Sequence, residues 1–189
     1  MRVFVVTGFL LAFAAGQSLY AKPTYKSQFT SLKKQDCKLK KHQKRGEAFV
    51  CKGKSRYKIQ YKGNETIGQH IYIEYSTVGD DQAAVRTKLL HTPGIKIHRL
   101  GDTAEWRRPK HLVSGGAVAV IIPVTATSVK HPKNKPSRYY VTVKLGRESG
   151  APCVVYLGPA GENNTAKDKL YHKAIAAADT AAQTSCTKN

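Results

Sequence analysis

The sequence predicts an α+β fold, an antiparallel β-sheet packed on one face by a C-terminal α-helix and fastened by two disulfides. Three observations lead there. From Gly46 onward apolar residues alternate or run in short lengths bounded by Gly, Pro, Asn and Lys, the pattern of strands joined by tight turns. Residues 165–185 are rich in alanine and contain neither Gly nor Pro, the composition of a helix. Cys37, Cys51, Cys153 and Cys186 are the only cysteines, an even number that implies paired thiols in an exported chain.

Export is read from the first 21 residues. Arg2 precedes apolar stretches at Val3–Val6 and Phe9–Ala15, a secretory leader about a dozen apolar residues long and short of the roughly 20 needed to span a bilayer. Cleavage is expected after Ala21, leaving 22–189 as one domain in the periplasm or outside the cell, with no transmembrane segment in the mature chain.

The elements follow in order. Glu47–Lys52, Arg56–Lys62 and Gln69–Tyr75 read as consecutive strands of a meander, with Gly63-Asn64 as turn residues between the last two. Gln82–Leu90 reads as a short helix stopped by His91-Thr92-Pro93-Gly94. Lys96–Leu100 and Thr103–Arg107, separated by Gly101-Asp102, read as a hairpin carrying Trp106. Ala117–Val124 is the most apolar strand and is expected at the centre of the sheet. Arg138–Leu145 puts Tyr139, Val141, Val143 and Leu145 on one face, and Pro152–Leu157 is a further strand. The final helix has Asn163 or Asn164 as its cap. Its stripe of Leu170, Ala174, Ala177 and Ala181, flanked by Tyr171, Ile175, Ala178 and Ala182, predicts close packing on the sheet.

Four cysteines allow three pairings, and spacing favours the local ones. Cys37 with Cys51 closes a hairpin-like loop, and Cys153 with Cys186 ties a strand to the end of the helix, each worth on the order of 3 to 4 kcal/mol. There is no Cys-x-x-Cys, and the seven histidines show no ligand spacing, so neither a metal site nor a cofactor is expected.

Charge points to the class of partner. The chain carries a formal net charge of +20, which favours an anionic polymer or an anionic envelope component. Between Lys22 and Lys62 fourteen Lys and Arg face two acids, Asp36 and Glu47. Within that stretch Lys38, Lys40, Lys41, Lys44 and Arg45 form a run between two cysteines that ends at Gly46 and reads as an exposed turn. These five are the candidate anion-binding residues. Tyr57 and Tyr61 interleave with Arg56, Lys58 and Lys62, a pattern that suits stacking on nucleic acid. At period two, however, the tyrosines share a strand face with Ile59, and core packing explains them more simply.

Catalytic patterns are scarce: no Gly-x-Ser-x-Gly, P-loop, Rossmann glycines or His-Glu-x-x-His occurs. The expectation is a non-enzymatic binding or envelope-associated protein. The alternative is a small basic nuclease with His70 or His98 and Glu74 or Glu105 as acid and base, and Arg99 and Arg107 steadying phosphoryl charge.

Asp36-Cys37, Cys51 followed by Gly53 and Tyr57, Glu105-Trp106-Arg107, the apolar strand near Ala117–Ile122, Pro152-Cys153-Val154-Val155-Tyr156 and an alanine-rich helix ending at Cys186 together form a pattern. It resembles that of an uncharacterised family of secreted or periplasmic proteins of Gram-negative bacteria. The resemblance covers most of the mature chain and implies export and a disulfide framework, but no activity and no site residues. The chain departs from the family in its strong positive charge and in reading Cys153-Val154-Val155-Tyr156 where members have Cys-His-Val-Ala-Tyr.

Overall fold

A computed structural model describes residues 24–42, 46–54, 56–64, 68–76, 85–90, 92–110, 116–146, 151–160 and 164–186. Residues 1–23, where a secretory leader is expected, lie outside the described residues, as do Lys44, Arg45, Gln82–Ala84, His91 and Asn163 and the side chains of Lys41 and Asp168. The strands are β1 (Tyr25–Ser31), β2 (Cys37–His42), β3 (Gly46–Cys51), β4 (Tyr57–Asn64), β5 (Gly68–Ser76), β6 (Val85–Leu89), β7 (Ile95–Leu100), β8 (Thr103–Pro109), β9 (Ala119–Ser128), β10 (Ser137–Lys144) and β11 (Cys153–Pro159). A 3-10 turn spans Lys34–Asp36, and helix α1 spans Asn164–Thr180.

These strands form two antiparallel sheets where the sequence predicts one. The first has the order β1-β8-β9-β10-β11, with β7 also paired to β9; the second is the meander β2-β3-β4-β5-β6. Ile59, Tyr61, Ile71 and Ile73 of the second sheet share a buried cluster with Trp106, Val120, Ile122, Val141 and Val143 of the first, so the sheets face each other across the main core. Tyr57 strengthens that contact from the second sheet: its hydroxyl donates to the Gly146 carbonyl just beyond β10, and its ring stacks on Tyr75 at 6.2 Å.

The helix covers the other face of the first sheet. Ala174, Ala178 and Ala181 bury completely against Ala119 and Ile121, and such small side chains let the helix backbone come close. The inward stripe is rotated slightly from the expected one, because Leu170 and Ala177 are only half-buried while Tyr171 packs on Tyr140 at 5.5 Å. Residues of β9 therefore alternate between two cores, Val120, Ile122 and Val124 toward the second sheet and Ala119 and Ile121 toward the helix. A strand buried on both faces reads as a continuous apolar run, which is what makes this segment legible as central.

Both disulfides form as the spacing favours. Cys37 and Cys51 are direct cross-strand neighbours of β2 and β3 with Cα atoms 4.2 Å apart. Cys153 at the start of β11 joins Cys186 beyond the helix, 5.9 Å between Cα atoms. Beside the second bridge, Lys144 donates to the Thr184 carbonyl at 2.6 Å, so the helix end is held twice. No described helix is long and apolar enough to cross a membrane.

Three local expectations are corrected. The described part of the expected helix at Gln82–Leu90 is strand β6, paired to β5 from Tyr72↔Leu89 to Ser76↔Val85. The open ladder of β5 supplies hydrogen-bond partners that outweigh a weak helical spacing, and Arg86 and Lys88 suit an exposed edge. Gly63 and Asn64 are not turn residues but remain in the β4–β5 ladder, opposite Gln69 and Gly68; residues 65–67 lie outside the described residues.

The third correction concerns the hairpin of β7 and β8. The two do not pair with each other; they run end to end along one edge of β9, both antiparallel to it. The interruption between them has its cause in Pro123. The Pro123 carbonyl accepts from the Gly101 N–H at 2.7 Å, and in an antiparallel strand a residue's N–H and C=O point to the same side. Proline has no N–H to offer there, and a strand tolerates it only where the ladder is broken. Gly101 fills the break because a Cβ at that position would lie 2.9 Å from the Pro123 Cβ.

Gly101→Ala is accordingly expected to cost about 1–3 kcal/mol through overpacking against the proline ring. Urea unfolding at pH 7 measures it, and a loss below about 0.5 kcal/mol, the range of ordinary surface changes, would refute the close-approach account.

Candidate anion-binding face

Within the described residues the candidate basic run is strand and not turn; Lys44 and Arg45 lie outside them. Lys38, Lys40 and Lys41 belong to β2, and Lys40 and Lys41 lie opposite Ala48 and Glu47 of β3. Strand alternation therefore splits the run between two faces. Lys38 and Lys40 stand on the face turned away from the main core, and Lys41 takes a register position on the opposite face.

Successive register pairs assemble that outer face in rows. Lys40, Ala48, Lys62 and His70 form one row across β2 to β5. Lys38, Val50, Gln60, Tyr72 and Leu89 form the next, across all five strands. Lys58 and Glu74 begin a third. The surface thus carries four lysines from two segments of the sequence, and only two of them come from the basic run.

The face is curled. In a flat sheet Lys40 and Glu74 would stand about 14 Å apart across the strands and about 13 Å apart along them, roughly 20 Å in all, yet the Lys40 Nζ lies 3.0 Å from a Glu74 carboxylate oxygen. Lys58 reaches the other oxygen at 3.1 Å. Ala48, Val50 and Gln60 of this face are buried although none belongs to the main core, as the inside of a curled face requires.

Glu74 is only 5% exposed. Burial pushes its carboxyl up, but hydrogen bonds and charge from Lys40 and Lys58 outweigh burial and hold it below its ordinary value. One carboxylate thus offsets two of the four lysines. Lys62 lies over the Tyr72 ring at 5.6 Å, and Lys38 is exposed. What remains is a concave cationic surface. Tyr57 and Tyr61 contribute no stacking platform to it, because both are buried in the main core, as the period-two reading expects.

The residues named for nuclease chemistry are dispersed. His70 is exposed on β5 and shares the outer face with Glu74, but the carboxylate is engaged by lysines. His98 sits on β7 with its Nε2 2.7 Å from the Thr127 hydroxyl. Arg99 pairs with Asp102 at 3.8 Å.

Glu105 and Arg107, two apart on β8, share the face beneath the helix. Arg107 makes a two-pronged contact with Asp179 of α1 at 2.7 and 2.8 Å, and donates to Glu105 at 3.1 Å and to Ser27 of β1 at 2.6 Å. Glu105 also accepts from the hydroxyls of Ser27 and Tyr171. Burial raises the Tyr171 pKa first, and the Glu105 hydrogen bond and charge raise it further, so the hydroxyl stays a donor. With its partners satisfied this group is a clasp between sheet and helix. Glu105 and Arg107 were visible in the sequence as one strand face; Ser27, Tyr171 and Asp179 were not, because nothing local links them.

No family model matches the chain, and neither a curated protein nor a solved structure matches it.

Glu74 gives the face a pH signature. A carboxyl held below its unfolded value near 4.5 adds stability in full above that value, and loses it as pH falls through the lower, folded value. Glu74→Gln is expected to cost on the order of 1 kcal/mol at pH 7, given partners half in solvent. The gap to the parent protein should narrow steadily below pH 4.5 in urea melts. A gap that widens on acidification would sink this assignment.

Proposed function

We propose that this protein is an exported, non-enzymatic binding protein that holds linear polyanions by charge on the curled outer face of its second sheet. The observation that carries the reading is the gathering of Lys38, Lys40, Lys58 and Lys62 on one face, where Glu74 pairs with Lys40 and Lys58. A net charge of +20 supplies long-range attraction. Two disulfides and the leader-like first 21 residues support export to the periplasm or beyond, where anionic envelope polymers are natural partners. The Tyr72 ring of this face lies under Lys62, so among the described residues the face offers chiefly point charges, which favours recognition of backbone charge over recognition of bases.

Retention of inorganic polyphosphate and of heparin by the full chain should fall linearly in logarithm with salt, as released counterions require. Exchanging Lys38 and Lys62 for glutamine should reduce the slope by about 1.4 to 1.8, and the same exchange at Lys133 and Lys135, in the exposed loop after β9, should reduce it less. The polymer should be recovered intact. Equal losses from both pairs would replace a defined face with diffuse attraction. Cleavage abolished by His70→Ala or His98→Ala would replace binding with hydrolysis.

A further inference from the structure

The first sheet carries a second cationic feature, on the face opposite the lysine surface. The register places Arg99 of β7, Thr125 of β9 and Arg138 of β10 in a single row. Strands 4.7–4.9 Å apart put the two arginine Cα atoms about 10 Å from each other with the threonine midway. A register shift between Ile97 and Arg99 brings Arg99 opposite Thr125, the kind of local irregularity that re-aims a side chain. The row lies two residues beyond Pro123 and Tyr140, where the Tyr171 ring of the helix packs.

These residues line a cleft of about 260 Å³, together with Gly101, Asp102, Pro123 and Tyr140. The broken ladder at Gly101 and Pro123 contributes to its floor, and Gly101 adds no side chain to fill it. Charge in the cleft is unbalanced. Asp102 meets Arg99 at 3.8 Å with both side chains about two-thirds exposed, a pair that contributes little. Arg138 makes no side-chain hydrogen bond or ion pair among the described residues.

We propose that this cleft is a small-anion site for the phosphoryl group of a phosphate monoester. Arg99 and Arg138 line the cleft from either side of Thr125, and a planar guanidinium fork matches two oxygens of an oxyanion. A carboxylate is satisfied by one fork. A phosphate monoester near neutral pH carries close to two charges and three terminal acceptor oxygens, enough for both forks, with the Thr125 hydroxyl beneath as a further donor. The volume falls at the small end of ligand pockets, about 300 Å³ and upward, and suits a compact monoester over a polymer. The Tyr140 ring gives the organic part an apolar wall. This site is independent of the polyanion face: it uses other residues on the other side of the molecule.

Calorimetric titration of the full chain with phenyl phosphate, inorganic phosphate and benzoate tests it. Phenyl phosphate is expected to bind saturably, inorganic phosphate more weakly, and benzoate at least about tenfold more weakly, since it uses one fork. Arg138→Gln and Arg99→Gln should each weaken phenyl phosphate by about tenfold, the loss of one charge-assisted fork. The Lys38/Lys62 glutamine pair should leave it unchanged. Both arginines are exposed, and circular dichroism confirms that the variants fold. Absence of saturation by about 10 mM, a limit well past useful affinity, overturns the site, as does equal affinity for benzoate or an unaltered Kd in Arg138→Gln. Loss of phenyl phosphate binding in the lysine pair would assign the signal to the polyanion face and overturn the cleft.

Discussion

Strand β9 is the member on which the other layers depend. Its even-numbered residues Val120, Ile122 and Val124 fill the core between the sheets, and Ala119 and Ile121 receive the helix. One edge pairs with β10 and the other with β8 and then β7. A shift of one residue in its register would exchange the two apolar sets between cores of different depth. Ala119 meets the small alanines of the helix and Val120 the core between the sheets, so the wrong register would put a larger side chain under the helix there and leave a cavity between the sheets.

Pro123 interrupts this strand at a cost of one ladder hydrogen bond, and the molecule uses the interruption. The break separates β7 from β8, requires Gly101, and adjoins the cleft on the helix side of the sheet that Arg99 and Arg138 line. An irregular place in an otherwise regular strand is where a sheet protein gains a concavity.

Two groups of buried charge serve different ends. The Arg107 clasp is closed on all sides by Ser27, Glu105, Tyr171 and Asp179, and it fixes the helix on the sheet with directional contacts where alanine packing alone would allow it to slide. The Glu74 cluster is open, with its lysines half in solvent, so its charge acts outward. Buried ion pairs are a poor measure of net stability; their contribution here is to set which surfaces are neutral and which remain cationic.

The sequence by itself determined most strand periods, the period of the final helix, the centrality of Ala117–Val124, the inward set Tyr57, Ile59 and Tyr61, and that the cysteines pair, with the local pairing favoured among three, because each rests on spacing within a segment or on the parity of cysteines. Only the tertiary structure decided that there are two sheets, that Gln82–Leu90 contributes an edge strand, and that β7 and β8 line up along one neighbour. Those outcomes turn on which edge offers hydrogen-bond partners, a property of strands distant in the chain. The candidate site divides in the same way. Lys38 and Lys40 were legible as a charge run, but their union with Lys58, Lys62 and Glu74, and the placing of Arg99 and Arg138 in one row, came from register across several strands, which no local pattern encodes.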